Sequence, residues 1–133
     1  MPNYSIGLVD FNYGPGAVDK ARDFYRQAFG WEPIFEDDNH YHVLRSANGT
    51  CLGLQQIAEG TNYLAGGAEF YEIGKPMVLI DTDDIDDSLK KLAALGCTIK
   101  LDKDEMPGIG WWAILDDPFG ARFALRQLTI PIP

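Results

Sequence analysis

One order of elements occurs twice in this chain: a strand, a helix closed by glycine, then three strands. The two closing glycines, Gly30 and Gly96, stand 66 residues apart. Tyr4 to Asn12 alternates and carries Ile6, Leu8, Val9 and Phe11, which predicts a strand. Gly14-Pro15-Gly16 breaks it. Val18, Ala21, Phe24, Tyr25, Ala28 and Phe29 recur at spacings of three and four, which predicts a helix over 18–29 ending at Gly30. Three strands are predicted next, from Trp31 to Glu36, His40 to Arg45 and Thr50 to Ile57. Asp37-Asp38-Asn39 and the hairpin signal Ala47-Asn48-Gly49 separate them.

After a Gly-rich, polar stretch from Ala58 to Gly74 the pattern restarts. Met77 to Thr82 reads as a strand. Asp83-Asp84 caps a helix carrying Ile85, Leu89, Leu92 and Leu95. Thr98 to Leu101, Gly110 to Leu115 and Ala121 to Gln127 read as strands, divided by Met106-Pro107-Gly108 and Asp117-Pro118-Phe119-Gly120. The halves match in element order far better than in residues. The expectation is an α+β fold of two tandem βαβββ modules, about 1–60 and about 76–133, joined by a linker over about 61–75. Neither module can close a core alone. At 133 residues, one domain built from both has enough surface to bury without a staple.

Charge narrows the partners. Eleven Lys and Arg face twenty Asp and Glu, for a net charge of −9. Such a chain is a poor ligand for nucleic acid or for an anionic membrane surface. No apolar run approaches a membrane span, and the first residues lack a basic region followed by an apolar one, so a soluble, cytoplasmic protein is expected. Cys51 and Cys97 have no CxxC spacing and no neighbouring His pair, so two buried, reduced thiols are expected rather than a zinc site.

Three stretches carry a likeness. They are Ala21-Arg22-Asp23-Phe24-Tyr25-Arg26-Gln27-Ala28-Phe29-Gly30-Trp31, then Asp84-Ile85-Asp86 running into Leu95-Gly96, and Gly110-Trp111-Trp112-Ala113 with Asp117-Pro118-Phe119-Gly120. In this order the chain resembles the vicinal oxygen chelate superfamily, which holds glyoxalase I, bleomycin-resistance proteins and extradiol dioxygenases. The resemblance implies a mixed sheet curled into a cup, helices outside, a ligand site inside, and association of two chains as a homodimer. It also implies four metal-ligand places, which fall here on Asp10, Gly53, Met77 and Ala124. Only Asp10 among them is a good donor, and a metal needs three or four. No glyoxalase-type metal, and no other cofactor, is therefore expected.

Strand alternation then sorts the side chains. With those four places on one face, the other holds Val9, Phe11, Leu52, Leu54, Val78, Ile80, Phe123 and Leu125, all apolar, as a helix-covered face requires. The ligand face holds Leu8, Asp10, Asn12, Cys51, Gly53, Gln55, Met77, Leu79, Asp81, Arg122, Ala124 and Arg126. A four-residue turn at Asp117 to Gly120 sets Trp111 opposite Arg126, on that same face; a one-residue slip exchanges it for Trp112.

Six residues are candidates for binding a ligand. Asp10 suits a general base or a partner for a cation, or else pairs with Arg122 or Arg126. Arg126 suits a carboxylate or phosphate, or else pairs with an acid or stacks on Trp111. Asn12 and Gln55 orient a ligand by their amides, or close an internal network. His42, on the same side of its strand as His40, is a possible general base or rim metal ligand, or a polar strand position. Trp111 offers a stacking surface. The acidic run Asp81, Asp83, Asp84, Asp86 and Asp87 lacks calcium-loop spacing and suits a helix N-terminus. The loop from Gly60 to Gly74, with Tyr63, Phe70 and Tyr71, is a link between modules or a lid. Three functions remain open: a metal-free small-molecule binder, an acid–base enzyme using Asp10 or His42, and a metal enzyme with displaced ligands.

Overall fold

The computed structural model describes residues 3–37, 40–57 and 70–131. The elements run β1 (Tyr4–Tyr13), α1 (Val18–Phe29), β2 (Glu32–Glu36), β3 (His42–Arg45), β4 (Cys51–Gln56), β5 (Met77–Thr82), α2 (Ile85–Ala94), β6 (Thr98–Met106), β7 (Gly110–Asp116) and β8 (Arg122–Leu128). This is an α+β fold with the βαβββ order repeated. The chain forms two compact units, one of Leu8–Met77 and one of Met1–Gly7 with Val78–Ile132.

In the Leu8–Met77 unit the strand order is β2-β3-β4-β1. β1 and β4 are parallel, with Val9 opposite Leu52, Asp10 opposite Gly53, Phe11 opposite Leu54 and Asn12 opposite Gln55. β3 runs antiparallel to β4, setting Val43 opposite Gly53 and His42 opposite Leu54. The apolar stripe of α1 lies on this sheet: Val18 packs with Leu44 and Leu54, and Phe11, Tyr25, Trp31 and Leu52 close round them. α1 stops at Gly30, whose left-handed φ of 69° turns the chain while its N–H donates to the Arg26 carbonyl.

The second unit repeats the plan with the order β5-β8-β7-β6. β5 and β8 are parallel, with Val78 opposite Phe123, Ile80 opposite Leu125 and Asp81 opposite Arg126. Asp84 caps α2, its carboxylate accepting from the Asp87 N–H. α2 lays Ile85 and Leu89 on Ala113, Leu115 and Leu125, with Ile80 and Phe123 at the border. The helix-covered set read from alternation is thus found under α1 and α2 at Phe11, Leu52, Leu54, Ile80, Phe123 and Leu125.

Four features differ from the sequence reading. β6 continues past Leu101 to Met106, with register breaks between Ile99 and Asp104. Its charged residues Asp102, Lys103, Asp104 and Glu105 hid it, because an exposed edge strand needs no apolar alternation. His40 precedes β3 in a left-handed conformation at φ 59°, so its spacing from His42 does not place it on the strand. Cys51 and Cys97 are free but only half-buried. The expected 60–74 loop falls largely outside the described residues, which resume at Phe70.

The fourth difference is the β7–β8 register. The connection has five residues, 117–121, with Asp116 opposite Arg122. The Asp117 N–H donates to the Ala121 carbonyl, and the Asp117 carboxylate accepts from the Phe119 and Ala121 amides. Gly120 takes the left-handed position at φ 99°. The extra residue sets Trp112, not Trp111, opposite Arg126. The first module closes its β3–β4 hairpin the same way over 46–50, with Gly49 at φ 89° and the Ser46 N–H on the Thr50 carbonyl.

Leu54→Ala and Leu125→Ala each empty a fully covered core position and should cost about 2–5 kcal/mol. Phe119→Ala, at a side chain 93% exposed, should stay within about 0.5 kcal/mol of wild type. Urea denaturation of the three variants checks the ranking.

Candidate functional site

The face of the Leu8–Met77 sheet opposite α1 gathers polar side chains that are buried. Asp10 is 2% exposed, Asn12 1% and Gln55 3%. Leu8, Val43 and Met77 are buried apolar residues of the same unit, and alternation puts Leu8 and Val43 on this face. Asp10 lies across Gly53: a Cβ at Gly53 would overlap Asp10 Oδ1 and stand 2.6 Å from the Tyr41 hydroxyl. The glycine thus makes room for a carboxylate where any other residue would fill the space.

Tyr41 donates its hydroxyl to Asp10 Oδ1 at 2.7 Å. Hydrogen bonds to an ionised acceptor contribute roughly 1.5–3 kcal/mol. Tyr71 is buried in the same unit, and burial, then the nearby Asp10 charge, pushes its hydroxyl well above the usual tyrosine value. It is a protonated phenol at neutral pH. Asn12 donates Nδ2 to the Lys75 carbonyl at 2.8 Å, while its buried Oδ1 has no hydrogen-bond partner among the described residues. The Lys75 carbonyl decides the amide's orientation, because a flip would set oxygen against oxygen.

The other sequence candidates lie elsewhere. His42 sits on the helix side of its sheet, opposite Leu54 in register. It is 1% exposed, with Nε2 2.8 Å from Asp19 Oδ1 on the first turn of α1 and Nδ1 4.0 Å from Glu36 Oε2. The His42 hydrogen bond is the main cause holding the Asp19 carboxyl below its usual value. His42 is therefore a pin between α1 and β3, not a companion of Asp10. Trp111 packs on the α2 side, with Lys103 Nζ 4.5 Å from its ring centre. The five-residue turn put it there, and Trp112, 3% exposed, takes the face of Arg126.

Arg126 belongs to the second unit. It forms a two-pronged pair with Asp81, at 2.7 Å and 3.1 Å. The alternative of an acid partner for Arg126 is thus realised with Asp81. A Cβ at Gly7 would overlap the Asp81 carboxylate, so a glycine again makes room for an acid. Arg122 is likewise held by Asp116, at 2.6 Å and 3.0 Å, and this bond lowers the Asp116 carboxyl from its usual value.

Sequence reasoning missed Tyr41 and named Tyr71 only as an aromatic of the link or lid. Tyr41 was open to it: two residues before Val43, it shares the face of Gly53 once the 46–50 connection is counted as five residues. Tyr71 lies within that 60–74 stretch and carries no periodic signal that would set it near Asp10.

The sequence profile of the Glyoxalase/Bleomycin resistance protein/Dioxygenase superfamily matches residues 7–125. The chain belongs to this superfamily. Solved structures share the fold. Methylmalonyl-CoA epimerase from Mycobacterium tuberculosis is 16% identical, with 96% of this chain and 88% of that one covered at a TM-score of 0.69. A variant of the Streptomyces coelicolor epimerase, in complex with 2-nitronate-propionyl-CoA, is 18% identical over 94% and 97% at 0.67. A Legionella pneumophila structure described as an NAD-dependent benzaldehyde dehydrogenase is 19% identical over 92% and 98% at 0.69. No curated protein matches the sequence.

The superfamily's metal does not fit the residues present. Of the four implied places, Gly53 and Ala124 carry no donor, Met77 offers a thioether, and Asp10 already accepts from Tyr41. Among the described residues, no three His, Cys, Asp or Glu side chains are grouped to hold a metal ion.

Two outcomes test this geometry. Gly53→Ala must displace Asp10 and should cost about 1–3 kcal/mol. Its effect should be strongly non-additive with Tyr41→Phe in a double-mutant cycle, because both act through the Asp10 carboxylate. Asp19 and Asp116 have folded pKa values below their ordinary 3.8, so they bind fewer protons folded than unfolded. Their stabilisation is present above pH 3.8 and is lost as pH falls through their depressed values. Asp116→Asn should flatten the drop in urea midpoint between neutral pH and that acid range.

Proposed function

We propose that this chain is a metal-independent small-molecule-binding member of its superfamily, taking a planar or charged ligand against the buried polar face of Asp10, Asn12, Tyr41 and Gln55. One observation carries the reading: Asn12 Oδ1 is buried and has no partner among the described residues, two positions along β1 from a carboxylate that a glycine accommodates. Leaving such an acceptor unmatched costs about 1–3 kcal/mol, a cost that a ligand's donor removes. The chain has no membrane or nucleic-acid role in this reading. No helix among the described residues is long and apolar enough to cross a membrane, and the net charge of −9 opposes phosphate backbones. Two chains associate as a homodimer in the same proposal.

A second reading, acid–base catalysis, is favoured by the Tyr41–Asp10 hydrogen bond, which sets a carboxylate against a phenol as a proton-holding pair. Two solved neighbours are epimerases by description, and proton transfer at a carbon is the reaction class that this reading would give the chain.

A thermal-shift screen separates the possibilities. It uses divalent metals with and without chelator, planar cations, and small 2-oxo and aromatic acids. The expected result is stabilisation by an organic compound and none by metal; at one hundred times its Kd a ligand adds about 2.7 kcal/mol. A metal-dependent rise reversed by chelator would overturn metal independence. Conversion of the bound compound by wild type but not by Asp10→Asn would replace the binder reading with the enzyme one.

A further inference from the structure

A separate cleft opens at the C-terminal end of α1, and we infer that it binds an organic cation of the quaternary-ammonium type, seated on the Trp31 ring. The cavity measures about 660 Å³ and lies within the Leu8–Met77 unit. Its walls include Asp23, Arg26 and Gln27 on one side of α1, and Gly30, Trp31 and Glu32 where the chain leaves the helix. Small-molecule clefts occupy roughly 300–1,000 Å³. The cleft shares no residue with the Asp10 face, and its occupant does not depend on a ligand there.

Gly30 builds the floor. Its left-handed φ of 69° turns the chain at the end of α1, and Trp31 comes back against Tyr25. Those two rings are parallel within 5°, with centres 5.5 Å apart. Phe29 stands 5.0 Å from Trp31 and 6.0 Å from Tyr25. The three centres therefore close a triangle, with Tyr25 and Phe29 crowding the indole from one side. A sandwich would hold them much farther apart. The half-buried indole keeps surface that neither ring covers, and it lines the cleft.

Charge selects the occupant. Along α1, Asp19, Arg22, Asp23 and Arg26 form a chain of ion pairs in which two acids meet two guanidiniums. Their charges cancel, and Glu32 is left over. It is exposed and makes no ion pair among the described residues, although Arg45 stands opposite it on β3. The C-terminal end of α1 adds the negative pole of its dipole. An anion in the cleft would face both. A weakly hydrated cation with an apolar shell gains from the carboxylate and from the ring at once, because an aromatic face attracts cations and tryptophan does so best.

The test titrates benzyltrimethylammonium, neutral benzyl alcohol and anionic benzenesulfonate into 15N-labelled wild-type protein at constant ionic strength, followed by NMR. The expected result is saturable binding of the cation, with shifts concentrated at the Trp31 indole N–H and the amides of Gly30 and Glu32. Benzyl alcohol should bind about fivefold more weakly or worse, and benzenesulfonate should leave these signals unmoved. Glu32→Gln should weaken the cation about threefold. Trp31→Leu should weaken it about fivefold or more. If Trp31→Leu fails to fold, Glu32→Gln and the wild-type indole shift decide. Benzenesulfonate moving these signals in place of the cation would give the cleft to Arg26 and overturn the inference. Equal binding of the alcohol, or indifference to Glu32→Gln, would overturn the role of charge. Cation shifts confined to residues 10, 12 and 55 would overturn this cleft while supporting the Asp10 face.

Discussion

Burial of one apolar face under each helix fixes where every other side chain of these strands goes. Leu54 beneath α1 and Leu125 beneath α2 leave their neighbours in the strand no choice of side. Gly53 and Ala124 must then turn to the opposite face, and so must Asp10 and Arg126 through the parallel registers. The polar chemistry of the chain follows from that constraint. Its acids and amides are buried not because burial favours them, but because the hydrophobic pattern has already spent the other side on the core.

That arrangement explains the use of glycine on the face opposite the helices. A charged side chain held against a sheet needs both a donor and a space. Gly53 opens the space for Asp10 and Tyr41 supplies the donor; Gly7 opens it for Asp81 and Arg126 supplies the donor. In each unit a carboxylate lies over a glycine and is met by a side chain from another strand or its approach. The metal places implied by the superfamily are thereby converted to hydrogen-bonded polar chemistry, at least at Asp10 and Gly53.

Much of this was legible in the residues. The helix stripes, the closing Gly30 and the Asp84 cap are local signals, and the parallel registers preserve the face partition expected from alternation. What sequence could not count was the length of the hairpin connections. Asp117 bonding to both Phe119 and Ala121 adds one residue to the turn, and parity alone moves Trp111 away from Arg126. For His42 the sequence left a general base, a rim metal ligand or a polar strand position open; only the register to Leu54 shows it on the helix side, bonded to α1 at Asp19. Charge hid β6, and the separation in sequence hid the nearness of Tyr71 to Asp10. Short-range patterning was readable; long-range parity was not.

The five-residue connections have an evolutionary consequence. Because side chains alternate, loss or gain of one residue within 117–121, with β7 kept in register with β6, shifts its facing on β8 by one place. The alternative, with β8 kept and β7 slipped, exchanges Trp111 for Trp112. Either way a single codon deleted at a solvent-exposed turn rewrites the inventory of the sheet face opposite α2 while every buried residue keeps its identity. Divergence of the side chains on that face therefore has a route through indels at its turns, beside the slower replacement of residues one at a time.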